Sequence, residues 1–144
     1  SATVDPKSRL AVAYYDHTAG ALRYLPPEGG QGPIVVDNGL YWDPQSGARR
    51  NHPVGQHVHL DFDASGKAHM LYLDAGLIQM KRAEVNGVNV SGPYDLVDLE
   101  AGSHMGFQVN TENHLVGAYG VWVQGEGEPL SHRLERFTID VGGP

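Results

Sequence analysis

The sequence predicts an all-β fold of short antiparallel strands, and three observations carry that prediction. Turn formers are plentiful and dispersed: 19 glycines and 9 prolines are spread through 144 residues, close to one position in five. Such spacing disfavours a helix bundle and favours many short elements joined by turns. Apolar and polar residues alternate, with Val58, Leu60 and Phe62 interleaved with His57, His59, Asp61 and Asp63, which is the period of a strand. The chain also repeats itself. Gly55–Asp74 (GQHVHLDFDASGKAHMLYLD) lies over Gly102–Val121 (GSHMGFQVNTENHLVGAYGV) without a gap at an offset of 47.

In that alignment His57 meets His104, Leu60 meets Phe107, Asp63 meets Asn110 and Tyr72 meets Tyr119. The N-terminal segment joins the same register at an offset of 58, where Val4 meets Phe62, Asp5 meets Asp63, Tyr14 meets Tyr72 and Asp16 meets Asp74. The 11 additional residues fall in Tyr41–Pro53, an insertion in the first unit. Taken in order, the first unit predicts strands at Leu10–Tyr15, Ala21–Leu25 and Ile34–Val36. In the second unit the strand through Val58–Phe62 turns at Ala64-Ser65-Gly66-Lys67 into Ala68–Asp74, a hairpin. Ala75-Gly76 then leads into Leu77–Ala83, and Tyr94–Leu99 follows a loop rich in Gly and Asn. The third unit predicts His104–Asn110, Leu115–Val123 and Leu130–Phe137.

Four antiparallel strands every ~40–50 residues is the period of a β-propeller blade. A β-sandwich also spaces its strands closely, but it does not predict like residues at a fixed offset. The expected architecture is therefore one domain over residues 1–144, a propeller fragment with approximate blades 1–54, 55–101 and 102–144. Closed propellers use roughly four to eight blades. Three units are thus expected to complete a ring by association, as a homodimer or with a companion chain.

The motif D-x-x-G-x-x-H-x-x-Y-x-D, carried by Asp63, Gly66, His69, Tyr72 and Asp74, resembles a degenerate blade motif of bacterial secreted or lipoprotein-type propellers. Ala11-Val12-Ala13-Tyr14-Tyr15-Asp16 and Ala21-Leu22-Arg23-Tyr24 match that form, whereas the third unit has Val116 and Val121 at the His69 and Asp74 positions. The resemblance implies a propeller and favours a secreted or periplasmic location. It names no reaction, since propellers host many functions.

Charge and composition narrow the function classes. The net charge is −7 with no block of Lys or Arg, which argues against nucleic acid as a partner, because phosphate binding needs a positive field. No apolar run approaches the ~20 residues of a membrane-spanning helix. The absence of cysteine removes disulfides and thiolate chemistry. No nucleophile elbow, phosphate loop or dinucleotide fingerprint is present.

The sharpest local feature is His57-Val58-His59. In a regular strand, i and i+2 side chains share a face, so both imidazoles, followed by Asp61 and Asp63, are expected to point the same way. His104 in the third unit matches His57. The expectation is that His57, His59 and His104 hold a divalent metal, Zn or Cu, or a small polar ligand, near the axis of the ring. Asp61 and Asp63 would act behind them on the imidazole tautomers, and an open coordination position would permit catalysis. The bland reading is a polar face on water, with Asp63 and Asn110 holding turns. A second candidate is the inserted loop, where Trp42, Arg49 and Arg50 combine aromatic and basic groups suited to a glycan or protein partner. In that alternative the chain is a non-catalytic interaction or carbohydrate-binding module.

Overall fold

The computed structural model describes residues 1–27, 31–96, 103–123, 125, 127 and 129–141, with backbone alone at 103, 104, 122 and 123. Among the described residues there are thirteen strands and no helix. The first sheet takes β1 (Ala2–Val4), β2 (Leu10–Asp16), β3 (Ala21–Leu25) and β4 (Ile34–Asp37) in chain order. A two-stranded hairpin follows, β5 (Leu40–Asp43) with β6 (Ala48–Asn51). The second sheet is β7 (Val54–Phe62), β8 (Ala68–Asp74), β9 (Gln79–Asn86) and β10 (Asn89–Asp95). The third is β11 (Ser103–Val109), β12 (His114–Val123) and β13 (Ser131–Asp140). Among the described strands the pairings are antiparallel between chain neighbours, and none of these sheets closes on itself.

The repeat has a local physical cause. Asp5 Oδ1 accepts the N–H groups of Lys7 and Arg9, Asp63 Oδ1 those of Ser65 and Lys67, and Asn110 Oδ1 those of Glu112 and His114. Each unit also closes the same backbone pair, for instance Gly66 N–H to Asp63 O and Asn113 N–H to Asn110 O. The third residue after the acidic or amide cap has positive φ in all three: Ser8 at 59°, Gly66 at 87° and Asn113 at 60°. This is a type I turn with a left-handed bulge residue, a common hairpin connection. Asp16 and Asp74 cap the next turns alike, Asp16 Oδ1 holding the Thr18 and Ala19 N–H groups and Asp74 Oδ1 those of Gly76 and Leu77.

Two differences from the strand prediction are informative. Leu77 and Ile78 belong to the turn before β9, with Ile78 at φ 53°. The segment read as a Gly/Asn loop is a tight hairpin at Gly87-Val88, so β10 starts at Asn89; Val97, Asp98 and Leu99 of the predicted strand lie outside the described residues. The inserted segment Tyr41–Pro53 also folds, pairing Tyr41 with Arg50 and Trp42 with Arg49.

The sheets stack face on face. Ala11, Ala13, Leu22, Tyr24 and Val36 of the first sheet pack on Leu60, Met70, Tyr72 and Ala83 of the second. Leu71, on the opposite face of the second sheet, joins Phe107, Leu115, Tyr119 and Phe137 of the third. Burial of large side chains such as Leu22, Leu60 and Met70 contributes ~1.5–3 kcal/mol apiece. The opening strands of the sheets meet: the Leu60 N–H donates to Ser1 Oγ at 3.2 Å, and the Val109 N–H to Asp61 Oδ2 at 2.8 Å.

Candidate functional site

The histidine strand is interrupted where the sequence reading assumed regularity. Gln56 pairs with Leu73 and His59 with Leu71, so three steps on β7 match two on β8. A bulge of this kind shifts the alternation of side chains. Gln56, rather than His57, shares a face with His59, and His57 sits at φ 52° and is exposed. His59 is half-buried, its ring edge-on to Phe107 at 4.9 Å, and burial lowers its affinity for a proton. The His104 side chain lies outside the described residues. Asp61 spends one carboxylate oxygen on the Val109 N–H, and Asp63 is buried in its turn with Oδ2 at 3.1 Å from His69 Nε2. Among the described residues no group of three His, Asp or Glu converges in a geometry that holds a metal ion.

His69 is buried with Nε2 hydrogen-bonded to Asp63, and its Nδ1, which has no hydrogen-bond partner among the described residues, lies 3.7 Å from Glu84 Oε1. Burial pushes the Asp63 carboxyl up, but hydrogen bonds from Ser65, His69 and the Lys67 N–H outweigh it and hold the group below the usual carboxylate value.

The inserted hairpin carries Trp42 at 63 % exposure, with Arg49 and Arg50 also exposed. Arg50 pairs with Asp43 at 3.0 Å. The base of the hairpin is pinned by His52, whose Nε2 reaches Asp74 at 2.7 Å and whose ring lies 4.6 Å from that of Tyr41. Asp74 is fully buried and also receives Lys81 Nζ at 2.7 Å. Beside it, the Tyr72 hydroxyl donates to Asp37 at 2.7 Å, and burial with the Asp37 charge pushes Tyr72 far above its ordinary value.

A cleft of about 410 Å³ opens between the first and second sheets, at the end opposite the inserted hairpin. The β1–β2 and β7–β8 turns bound it, contributing Asp5, Arg9 and Gly66, and Gly87 and Val88 of the β9–β10 turn close the far side. Phe62, Val85, Pro26 and Pro27 supply its apolar surface, and Tyr24, Gln31 and the Asp5–Arg9 pair are among the groups that make up a comparable polar surface. Asp5 Oδ2 holds Arg9 Nε at 2.9 Å, and that guanidinium keeps the carboxyl below its usual value. Tyr24 is buried; burial and the Asp5 charge push its hydroxyl up to about 12, so it stays protonated.

Sequence reasoning did not bring these cleft residues together, because they lie on two sheets joined by the insertion. The one signal available was Asp5 followed four residues later by Arg9 across a turn. The structure places Trp42, Arg49 and Arg50 at one end of the sheets and the cleft at the other, so they do not form one site. No protein-family model, curated protein or solved structure matches the chain.

Proposed function

We propose that the three stacked sheets are consecutive blades of a β-propeller and that the chain is a non-catalytic module binding a small, neutral, hydroxyl-rich ligand of the carbohydrate class in the cleft between the first two. The observation that carries this reading is the cleft itself: a concave site with apolar patches beside convergent polar groups is the build of a small-molecule site. A sugar ring offers an apolar face to Phe62 and the prolines, and hydroxyls to Tyr24, Gln31 and the Asp5–Arg9 pair. An overall −7 repels anions, so the ligand is not a negatively charged one. Catalysis is not supported there, since Asp5 is engaged by its turn and by Arg9, and Tyr24 holds its proton.

The ion reading, with His57, His59 and His104 as ligands, stands second because the bulge turns His57 away from the face of His59. Titration of isotopically labelled protein with a panel of neutral mono- and disaccharides tests the first reading. Shifts confined to residues around Tyr24, Phe62 and Gly87, and lost in Arg9→Ala, are expected. A parallel zinc titration separates the two. Stoichiometric zinc, lost when His57 and His104 are both replaced by Ala, together with no sugar response at millimolar concentration, would overturn the cleft reading in favour of the ion.

A further inference from the structure

Asparagine is followed by glycine at Asn38-Gly39 and at Asn86-Gly87. Glycine has no Cβ to screen its amide nitrogen, so in this dipeptide that nitrogen can attack the side-chain amide before it. Asparagine is lost by this route without an enzyme. Both asparagines are exposed and stand where one strand turns into the next. The fold nevertheless treats them in opposite ways.

At Asn38 each group that must move is held. The Gly39 N–H, which carries the attacking nitrogen, donates to Asp37 Oδ1 at 2.8 Å, and that carboxylate is buried. Asn38 Oδ1 accepts the Leu40 N–H at 3.1 Å, and the Asn38 carbonyl accepts Asn51 Nδ2 at 2.8 Å. The Gly39 carbonyl takes the His52 N–H at 3.1 Å, and the backbones are so close that a Cβ on Gly39 would fall 1.9 Å from the His52 oxygen. A carboxylate against the N–H opposes loss of its proton, and the ring cannot close without that loss.

Asn86 meets no such restraint. Gly87, at φ 62°, takes the first central position of a two-residue turn, the place a type II′ hairpin reserves for glycine. Among the described residues neither the Asn86 side chain nor the Gly87 N–H has a hydrogen-bond partner, and both residues are exposed. The end of this hairpin is lightly secured as well. β10 is an edge strand and largely exposed, and its pairing with β9 runs from Asn89 to Ser91 before the register breaks ahead of Tyr94. Opening so short and exposed a stretch is a local event of low free energy, and it frees the Asn86 backbone to rotate into the attacking geometry.

We infer that Asn86 is a site of spontaneous deamidation and isomerisation in the folded protein, and that the fold protects Asn38 from the same reaction. The Gly87 nitrogen gives its proton to hydroxide and bonds to Asn86 Cγ. The side-chain nitrogen takes a proton from water and leaves as ammonia. Water then opens the resulting succinimide. Cleavage between Cγ and the Gly87 nitrogen gives aspartate, and cleavage at the main-chain carbonyl gives isoaspartate, in which the backbone runs through Cγ. Water is the sole co-reactant. Both products add a negative charge, and isoaspartate also lengthens the main chain by a carbon, which a two-residue turn cannot absorb without losing its closing pair. Gly87 and Val88 close the far side of the cleft, so the change falls on its rim.

Incubation of the full folded chain, without ligand, in heavy-oxygen water at mildly alkaline pH and body temperature provides the test. Digestion and mass spectrometry, with fragmentation that tells aspartate from isoaspartate, then map both sites. Asn86 should convert about tenfold or more faster than Asn38, the weight of a hydrogen bond to a charged acceptor, and its product should carry the heavy oxygen. In urea-unfolded chain the two rates should converge, because the dipeptides are the same. Circular dichroism before and after incubation checks that the folded sample stays folded. Asn86→Gln should remove conversion at that position and leave the rate at Asn38 unchanged. A folded chain in which Asn38 converts as fast as Asn86 overturns the protection. One in which Asn86 stays intact while the unfolded chain loses it overturns the site. Mapping uses no ligand, so its outcome is read separately from that of the saccharide titrations.

Discussion

Replacing Asp74 with Ala should cost far more stability than the same change at its repeat counterpart Asp16, although both carboxylates cap the same turn. Asp74 is fully buried and holds Lys81 Nζ at 2.7 Å, His52 at 2.7 Å and two turn N–H groups. Truncation leaves the Lys81 ammonium, itself buried, with Asp95 at 3.8 Å as its remaining carboxylate partner among the described residues. Breaking a buried pair by removing one partner costs ~3–5 kcal/mol. Asp95 recovers part of that, so about 3 kcal/mol is expected. With a urea slope of ~1–3 kcal/mol per molar, the midpoint should fall by roughly 1–3 M. Asp16 pairs with Arg23 at 2.6 Å where water reaches both, so Asp16→Ala should shift the midpoint much less. Urea unfolding followed by circular dichroism, with slopes compared among the three proteins, reads the result. Equal shifts for the two variants would refute the reasoning, because burial of the ion pair would then decide nothing.

Stability should also fall on acidification in two stages. The folded values of His59, Asp63 and Asp74 all lie below their ordinary ones, so each contributes stability that is whole above the unfolded value and is lost as pH falls through the folded one. The first loss should begin below about 6.5, from burial of His59, and the second below 3.8, from the two carboxyls; a stability maximum near pH 4 in urea titrations would contradict this. Gly39→Ala should destabilise more than Gly47→Ala, as read from melting temperatures. Both have positive φ, at 68° and 64°, and share a strain of ~1–2 kcal/mol. Only at Gly39 does the new methyl group fall 1.9 Å from a backbone oxygen, that of His52, whereas Gly47 has open space. Similar melting points for the two would show that the two legs of the hairpin are not held together by that close approach.

Sequence alone determined what depends on neighbours in the chain. The strands at Ala21–Leu25 and Ala68–Asp74 have the expected bounds, and Asp63 and Asn110 hold turns, as the bland reading of the histidine strand had them. An Asx side chain bonds its own backbone two to four residues on, and alternation fixes which side chains face a sheet partner, so both are written locally. The bulge at His57 depends on where β7 registers against β8, a pairing between strands, and it undid the shared face inferred for His57 and His59. The contact of His52 with Asp74 and the cleft between Tyr24 and Val85 each join residues from different sheets or hairpins. Only stacking the sheets brings those groups within a few ångströms, because side-chain packing between sheets has no period along the chain.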